Sequence, residues 1–303
     1  MGPGVTVAKP GEAVLCSFTY CNDCLLCKAG NHSHCPRFTE LNFGGDKDVF
    51  TTSGSNDNVV AGAFFGQSSF ANLSIVKQTS IVNVQSLVKD KAELQLFSPL
   101  GCGIQTGSGT VINAAKAGPK DVVLVTGLGG VGLSAIMAAK LVGARMIIGL
   151  DKVEKRINLA KELGATHTIN TSTLGDKTLK EAIQEIAEGV GPTIAVETTG
   201  APPLIQAAFE SLRPRGKICQ VGTPPFDFVM NVGWFEFMLS GREIIGAIEG
   251  LAYPPEYVPK MIQWYREGRF PIDKMIKLMP ASEFKQGLHE MHDGTTIKPV
   301  LCW

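Results

Sequence analysis

Asp121-Val-Val-Leu-Val-Thr-Gly-Leu-Gly-Gly-Val-Gly132 carries the strongest structural signal of the chain. Its first six residues predict a buried strand, and a long apolar helix is expected over residues 129–142. The loop between them has the spacing G-x-G-x-x-G, which allows a tight turn, close approach of the backbone to a pyrophosphate, and close packing of helix on strand. The predicted cofactor-binding residues of this loop are Gly127, Leu128, Gly129, Gly130, Val131 and Gly132.

Strand and helix alternate on the C-terminal side of this loop. Strands are predicted at 145–150, 166–169, 194–197 and 216–221, with helices at 155–163, 179–188 and 204–212. Because these strands are continuously apolar, we expect an α/β fold with a doubly wound parallel sheet covered on both faces. The first hundred residues instead show short alternating segments, such as 12–18 and 72–76, which predict strands and loops.

An acidic residue closes the strand that follows the glycine loop. Asp151 lies at the distance of about 20 residues at which a carboxylate accepts hydrogen bonds from a ribose and repels a 2'-phosphate. The helix N-terminus offers free N–H groups and a positive dipole end to the phosphates. We therefore predict NAD rather than NADP, although Lys152 and Arg156 are close in sequence. A glycine-rich turn without a ligand is the alternative.

Four cysteines, Cys21, Cys24, Cys27 and Cys35, form a C-x2-C-x2-C-x7-C cluster. Four thiolates complete the tetrahedron that a structural zinc prefers. Two disulfides are the alternative, but they require an oxidising compartment, and the N-terminal stretch has no features of a secretory signal. We therefore expect reduced thiols, zinc and a cytoplasmic location. His32 and His34, inside the last spacer, are expected to be solvated.

Composition limits the possible partners. The chain has 303 residues, which predicts two domains, and its 28 basic and 28 acidic side chains give no field for nucleic acid or an anionic membrane. No apolar run reaches the length that a membrane span needs. Cys16, Cys219 and Cys302 lie singly in apolar runs and are expected to be small core residues. The expected partner is a small molecule.

The cysteine cluster and the glycine loop together identify a family resemblance. The chain resembles the medium-chain, zinc-dependent alcohol dehydrogenases, and most of all the aryl or benzyl (allylic) alcohol dehydrogenases. The similarity covers nearly the whole chain, and its specific runs are Pro99-Leu-Gly-Cys-Gly-Ile-Gln-Thr-Gly107, Gly241-Arg-Glu-Ile-Ile-Gly-Ala-Ile-Glu-Gly250, Gly268-Arg-Phe-Pro271 and Ile297-Lys-Pro-Val300. The resemblance implies NAD-dependent conversion of a primary aryl or allylic alcohol to its aldehyde, and the reverse.

The resemblance also implies domains and an assembly. A GroES-like catalytic domain is expected at 1–103 and 247–303, divided by a Rossmann domain at 104–246. A homodimer is expected through edge strands of the nucleotide domains, or a homotetramer built from such dimers.

Site residues follow from the resemblance, position by position. Cys21, Cys24, Cys27 and Cys35 match structural zinc ligands, Cys102 matches one ligand of the catalytic zinc, and Thr106 matches the residue beside the nicotinamide. Asp151 matches the ribose-binding acid, Arg156 a basic residue near the adenosine, and Lys298 an arginine on the pyrophosphate. Val221, Gly222, Thr223 and Ala247 match backbone that flanks the nicotinamide carboxamide.

The same comparison predicts an incomplete catalytic zinc site. In the family a further cysteine ligand, a relay hydroxyl and a Gly-His-Glu stretch precede a V-G-x-G-V run, and this sequence starts Met1-Gly-Pro-Gly-Val5. A catalytic zinc keeps three protein ligands, and we expect no substitutes among His167, His289 and His292. Uncovered strand edges and apolar faces are expected in the GroES-like domain.

Two alternatives therefore remain at this stage. One is a zinc-stabilised, NAD-binding protein without alcohol dehydrogenase turnover, and the other is a zinc-independent, NADPH-using reductase of activated double bonds. Residues 249–255, EGLAYPP, are expected to border the cleft.

Overall fold

Short strands and helices make up the first third of the chain. The computed structural model describes residues 1–50 and 60–303. The elements of this part are β1 (Val14–Cys16), α1 (Leu25–Lys28), α2 (Phe38–Phe43), β2 (Asp46–Phe50), β3 (Val60–Gly62), β4 (Ile81–Asn83), α3 (Lys91–Phe97) and α4 (Gly103–Gly109). β1 pairs antiparallel with β4, and β2 pairs antiparallel with β3.

The strand predicted at 72–76 is wrong, because this segment consists of bends and irregular backbone. Its alternating apolar side chains find no face to pack on: Leu73 is 85% exposed and Ile75 is 60% exposed. The strand predicted at 12–18 shortens to β1, whose central residue Leu15 is buried.

A six-stranded parallel sheet follows: the alternation of strand and helix predicts five of its strands, and the sixth, at the edge, was not predicted. Its elements are β5 (Val122–Thr126), α5 (Gly130–Leu141), β6 (Met146–Asp151), α6 (Glu154–Leu163), β7 (His167–Asn170), α7 (Leu179–Ile186), β8 (Ile194–Glu197), α8 (Pro202–Ser211), β9 (Lys217–Gln220), α9 (Trp234–Ser240) and β10 (Glu243–Gly246). The strand order is β10-β9-β8-β5-β6-β7, and all pairs are parallel. The α/β fold class is therefore confirmed.

The order of the strands creates a cleft. From β5 the chain winds to β6 and β7 on one side, and then returns to place β8 on the other side of β5. The loops that leave the carboxyl ends of β5 and β8 therefore diverge, and ligands bind at such a switch point in open parallel sheets. Every residue of β5 is buried, so the sheet offers a rigid base for these loops.

The C-terminal part returns to the first third of the chain. Its elements are α10 (Pro254–Arg266), β11 (Ile276–Pro280), α11 (Phe284–Asp293) and β12 (Lys298–Cys302), with β11 parallel to β12. Val258, Met261 and Ile262 of α10 are buried in the core that also contains Leu15 and Val82. His167 begins β7, and His289 and His292 lie on α11.

Helix α4 ties the two parts together. It packs directly on α5, and a Cβ atom at Gly107 would lie 1.9 Å from the carbonyl oxygen of Val131. Only glycine permits this approach. The packing fixes the segment that starts at Cys102 against the glycine loop. No helix in the described part of the chain is long and apolar enough to cross a bilayer.

Candidate cofactor cleft and metal centre

The four cysteines of the cluster converge as the spacing predicts. Their sulfur atoms all lie within 4.8 Å of one another. Cys21 Sγ and Cys27 Sγ are 3.9 Å apart, too far for the disulfide bond length of about 2.05 Å. Two thiolates that each lie about 2.3 Å from a tetrahedral zinc are roughly 3.8 Å apart. The donor set and its geometry therefore fit a structural zinc.

Helix α1 prepares these sulfurs for a metal. The backbone N–H of Cys24 donates to Cys21 Sγ and that of Cys27 donates to Cys24 Sγ, each at 3.4 Å. The bond from Cys27 is the main cause that lowers the pKa of Cys24 to about 7, whereas the side-chain hydrogen bond with Asp23 raises the pKa of Cys21 and burial raises that of Cys27. The lobe, residues 21–35, therefore offers an anionic ligand near neutral pH. Zinc here would hold the lobe together and perform no chemistry.

His32 is buried, so the prediction that it is solvated is wrong. Its ring stacks on Tyr253 with centroids 4.2 Å apart and also meets the ring of Tyr20, and only 8% of the residue is exposed. Burial lowers the pKa of His32. Tyr253 lies just before α10, far away in sequence, so local pattern gave no sign of this contact. His34 is exposed, as expected.

The glycine loop has the close approach that the motif predicts. A Cβ atom at Gly132 would lie 1.8 Å from the carbonyl oxygen of Gly127, whereas one at Gly129 or Gly130 would meet no atom within 4 Å. The N-terminus of α5 has no side-chain cap. Free N–H groups therefore face open space, which fits a pyrophosphate.

Asp151 closes β6 beside this loop, as predicted. Its carboxylate accepts from the backbone N–H groups of Leu128 at 2.7 Å, Lys152 at 2.8 Å and Val153 at 2.9 Å. Three of its roughly four acceptor positions are thus occupied. Asp151 therefore anchors the loop, and about one acceptor position of its carboxylate remains.

Arg156 turns toward the C-terminal part of the chain. Its Nη2 donates to the backbone oxygen of Met291 at 3.0 Å, and its Nη1 lies 3.9 Å from Asp151 Oδ2.

A buried carboxylate that no local sequence pattern indicated lies at the carboxyl edge of the parallel sheet. Glu197, at the end of β8, is fully buried and accepts from Thr126 Oγ1 at 3.2 Å and from Gln220 Nε2 at 2.8 Å. The backbone N–H of Gly200 also donates to it at 3.0 Å. These bonds join the carboxyl ends of β5, β8 and β9. A charged residue that ends an otherwise apolar strand was the available sequence clue.

The predicted carboxamide-flanking residues lie at the same edge. Val221 and Gly222 follow β9 and donate their N–H groups to the backbone oxygen of Glu197, both at 2.9 Å, and Thr223 comes next. Ala247 follows β10 and donates to the backbone oxygen of Gln220 at 2.9 Å. The structure thus brings these four residues to adjacent strand ends.

Cys102 and Thr106 lie at the start of α4 and share a neighbour, Glu249. The thiol of Cys102 donates to Glu249 Oε1 at 3.5 Å, and Thr106 Oγ1 lies 3.5 Å from Glu249 Oε2. Gln105 Nε2 donates to Glu249 Oε2 at 2.8 Å. Residues 249–255 were expected to border the cleft, but these side-chain partners, more than 140 residues away in sequence, were missed.

Burial governs the protonation of this group. Desolvation raises the pKa of Glu249 to about 7, against hydrogen bonds that lower it. Desolvation, followed by the charge of Glu249, raises the pKa of the Cys102 thiol to about 12. Near neutral pH the Cys102 thiol is therefore protonated, whereas Glu249 is present in both its neutral and its ionised forms.

The backbone around Glu249 is left-handed for three residues. The φ angles of Glu249, Gly250 and Leu251 are 52°, 65° and 50°. A non-glycine residue in this region costs about 1–3 kcal/mol and persists where its surroundings hold it. Asn113 Nδ2 donates to the backbone oxygen of Gly250 at 2.9 Å, and a Cβ atom at Gly250 would lie 2.4 Å from the backbone oxygen of Gln105. Packing on α4 therefore maintains the turn.

A mainly apolar cavity of about 500 Å³ opens at Cys102. Aromatic and aliphatic side chains form much of its wall: Phe64, Phe65, Phe70, Leu94, Pro99 and Trp303. Lys298, at the start of β12, lies on the wall of this cavity together with Cys102. Lys298 forms no ion pair with a residue of the described ranges.

The described residues do not form a three-ligand metal site around Cys102. Within residues 1–50 and 60–303, the four cysteines of the lobe form the only group of three or more His, Cys, Asp or Glu residues whose ligand atoms lie close together. His167, His289 and His292 are exposed. The prediction that Cys102 is the sole catalytic zinc ligand of this sequence stays a prediction.

Known proteins are similar to this chain in sequence and in architecture. A family model described as zinc-binding dehydrogenase matches residues 130–267. The chain is 36% identical to geraniol dehydrogenase of Castellaniella defragrans, over 100% of this chain and 80% of that protein.

Solved structures agree with this similarity. Benzyl alcohol dehydrogenase of Acinetobacter calcoaceticus has a TM-score of 0.88 at 36% identity, covering 100% of this chain and 81% of that one. An alcohol dehydrogenase zinc-binding domain protein from Burkholderia ambifaria has a TM-score of 0.89 at 35% identity, over 99% and 80% of the two chains. The chain therefore belongs to the zinc- and NAD-dependent medium-chain alcohol dehydrogenase family.

Proposed function

We propose that this protein interconverts a primary aryl or allylic alcohol and its aldehyde with NAD. The cavity at Cys102 carries this proposal, because its aromatic and aliphatic wall suits a flat apolar substrate and its mouth lies at the start of α4. Two relatives named for geraniol and benzyl alcohol, an allylic and an aryl alcohol, support the substrate class.

The residues of the chain have distinct roles in this proposal. The N-terminus of α5 binds the pyrophosphate, with Lys298 as an added cation, and Asp151 accepts from the ribose while Arg156 stands near the adenosine. When bound, NAD would accept the hydride from the alcohol carbon, and the hydroxyl proton would pass to solvent, so that the alcohol becomes the aldehyde. Backbone groups at Val221, Gly222, Thr223 and Ala247 orient the nicotinamide carboxamide. Thr106 lies beside the ring, and Cys102 faces the reacting carbon from the cavity.

The substrate class is tested with the purified chain, NAD and three alcohols. We expect kcat/KM to be about tenfold or more higher for benzyl alcohol and geraniol than for ethanol, because ethanol fills little of the apolar wall. Formation of NADH is the measurement. Equal rates for all three alcohols would contradict the substrate class.

We propose the domain division given by the family, with catalytic segments 1–103 and 247–303 and a nucleotide domain at 104–246. The run of the parallel sheet from Val122 to Gly246 supports these bounds. A cytoplasmic location is also proposed, because a thiolate zinc site needs reduced cysteines.

We also propose that the chain forms a homodimer through the free edge of β10. Among the described strands β10 pairs with β9 alone, and exposed apolar side chains lie on it and on α9: Trp234, Phe235, Met238, Leu239 and Ile244. Such an apolar edge favours pairing with a second copy. We expect sedimentation to give a dimer for the native chain and a monomer for Ile244→Lys. A native monomer, or a dimer unchanged by this substitution, would exclude this interface.

A further inference from the structure

Three polar side chains form a row across the carboxyl ends of β5, β8 and β9. Thr126 is the register partner of Glu197, and Glu197 is the register partner of Gln220. Because paired residues of adjacent strands place their side chains on the same face of a sheet, the three groups meet. Thr126 Oγ1 and Gln220 Nε2 donate to the carboxylate of Glu197 at 3.2 Å and 2.8 Å.

A fully buried acid is uncommon in such a sheet. Glu197 forms no ion pair with a residue of the ranges 1–50 and 60–303, and an apolar side chain would avoid the desolvation of a carboxylate. Its oxygens accept instead from neutral groups, among them the backbone N–H groups of Thr199 at 2.8 Å and Gly200 at 3.0 Å. Glu197 is therefore held firmly enough to anchor the side chain of Gln220.

The amide of Gln220 connects this acid to the segment that follows β9. Its Nε2 donates to Glu197 Oε2 at 2.8 Å and to the backbone oxygen of Gly222 at 2.7 Å. A side-chain amide has two N–H donors, so both are used. The side chain thus fixes a carbonyl group two residues further along the chain, and an apolar side chain at position 220 would leave that carbonyl free of it.

The fixed carbonyl sets the direction of the next N–H group. The peptide between Gly222 and Thr223 is trans, and the C=O and N–H groups of a trans peptide point in opposite directions. Since the oxygen points toward Gln220, the N–H of Thr223 points away from it. This N–H donates to no residue in the described part of the chain, and Thr223 is exposed. A donor of fixed direction is therefore available to a ligand.

We propose that Gln220, anchored by Glu197, is a positioning residue that fixes the backbone of residues 221–223 for the carboxamide of NAD. A carboxamide has one acceptor oxygen and one NH2 group, so its binding depends on the directions of the backbone groups that face it. A segment that is fixed before the cofactor arrives loses less freedom on binding. This role rests on the proposed function, which assigns residues 221–223 to the carboxamide.

Two substitutions remove the donors of Gln220. Gln220→Met keeps the length of the side chain, and Gln220→Ala places no bulky group beside Glu197. Thr126→Val is the matched control, because it also removes one hydrogen bond to Glu197, whereas Thr126 has no described hydrogen bond to residues 221–223. Thermal unfolding reports the folding of every variant.

Two ligands separate the nicotinamide from the rest of the cofactor. ADP-ribose has the adenosine, the pyrophosphate and the second ribose but no nicotinamide. We expect both Gln220 variants to weaken NADH about fivefold or more and to keep the affinity for ADP-ribose within about twofold. Thr126→Val should keep both affinities within about twofold. Fluorescence titration measures the affinity for NADH, and isothermal titration calorimetry measures the affinity for ADP-ribose.

The outcomes are distinct. Equal weakening of both ligands in the Gln220 variants would show a general loosening of the strand ends and would overturn the proposal. Native NADH affinity in these variants, an equal loss of NADH in Thr126→Val, or failure of both Gln220 variants to fold would overturn it as well. The titrations need no turnover, so a native chain that oxidises no alcohol would refute the proposed function, whereas the two affinities still decide the role of Gln220.

Discussion

Two glycines of one loop, Gly129 and Gly132, differ in their surroundings. Gly132 is required by the protein itself, because a Cβ atom there would collide with the carbonyl oxygen of Gly127. Gly129 meets no protein atom, and its φ of −76° suits any residue. Packing therefore explains the glycine at 132, whereas no described protein contact requires a glycine at 129.

Alanine at these two positions should change different properties: the affinity for NADH at position 129 and the stability of the fold at position 132. Gly129→Ala is expected to change the free energy of unfolding by less than about 0.5 kcal/mol, because it alters only a glycine N-cap, and to weaken NADH by about tenfold. Gly132→Ala should destabilise the fold by about 1–3 kcal/mol or more through overpacking. Urea unfolding measures the stability of the two variants, and NADH fluorescence titration measures their affinity for NADH. Unchanged NADH affinity in Gly129→Ala would contradict pyrophosphate binding at this loop.

Some residues of the site can be predicted from the sequence and others cannot, for a physical reason. The glycine loop, Asp151 and the lobe cysteines follow from local spacing, because each chemistry needs its groups within one short segment or at a fixed offset. The contact between Gln105 and Glu249 joins residues 144 apart in sequence. No local pattern encodes such a pair, since packing of the turn on α4 creates it.

At the scale of elements, the cysteine lobe is joined to the segment before α10 by aromatic packing. His32 and Tyr253 stack, and Tyr20 closes on both rings. The turn that carries Glu249 directly precedes this segment. The lobe therefore packs against the segment that follows this turn, and a metal bound by the lobe would stabilise more than the lobe itself.

Loss of one lobe ligand should reveal this support. Cys24→Ser is expected to lower zinc content and to destabilise the protein by several kcal/mol, because thiolate ligation contributes folding free energy directly. Cys302→Ser, which changes a cysteine outside the lobe, should retain zinc. Elemental analysis measures the zinc content of the two variants, and thermal unfolding measures their stability. Equal zinc content in both variants would contradict ligation by Cys24.

The unit of β11, α11 and β12 has its own ionic link. Glu290 on α11 accepts from Lys277 Nζ at 2.7 Å, Thr296 Oγ1 at 2.6 Å and Gln286 Nε2 at 3.0 Å. The bond from Lys277 is the main cause that lowers the pKa of Glu290 from 4.5 to about 2. The folded state therefore binds the proton of this group less readily than the unfolded state does.

This shift sets the sign of a pH dependence. Because the folded pKa is depressed, the stabilisation is fully present above the unfolded value of 4.5 and is lost as pH falls toward about 2. The melting temperature of the native chain should exceed that of Glu290→Gln at neutral pH, and the gap should narrow below about pH 4. A gap that is constant with pH would show that this carboxylate is not preferentially ionised in the fold.

At the scale of the whole molecule, the fold follows from the sequence more fully than the site does. Continuous apolar strands and the glycine loop predict the parallel sheet, because burial on both faces leaves a strong compositional pattern. The strand predicted at 72–76 failed because alternation alone does not supply a face to pack on. The buried acid Glu197 and the cavity at Cys102 depend on how distant segments meet.

The central claim is that this cleft oxidises an apolar primary alcohol with NAD, and benzyl alcohol oxidation tests it most directly. NADH absorbance is followed for the purified chain and for Cys102→Ala, with zinc content and NADH binding measured on the same samples. We expect the native chain to form NADH and Cys102→Ala to form none. A native chain that contains zinc and binds NADH, yet forms none from benzyl alcohol or geraniol, would contradict the claim.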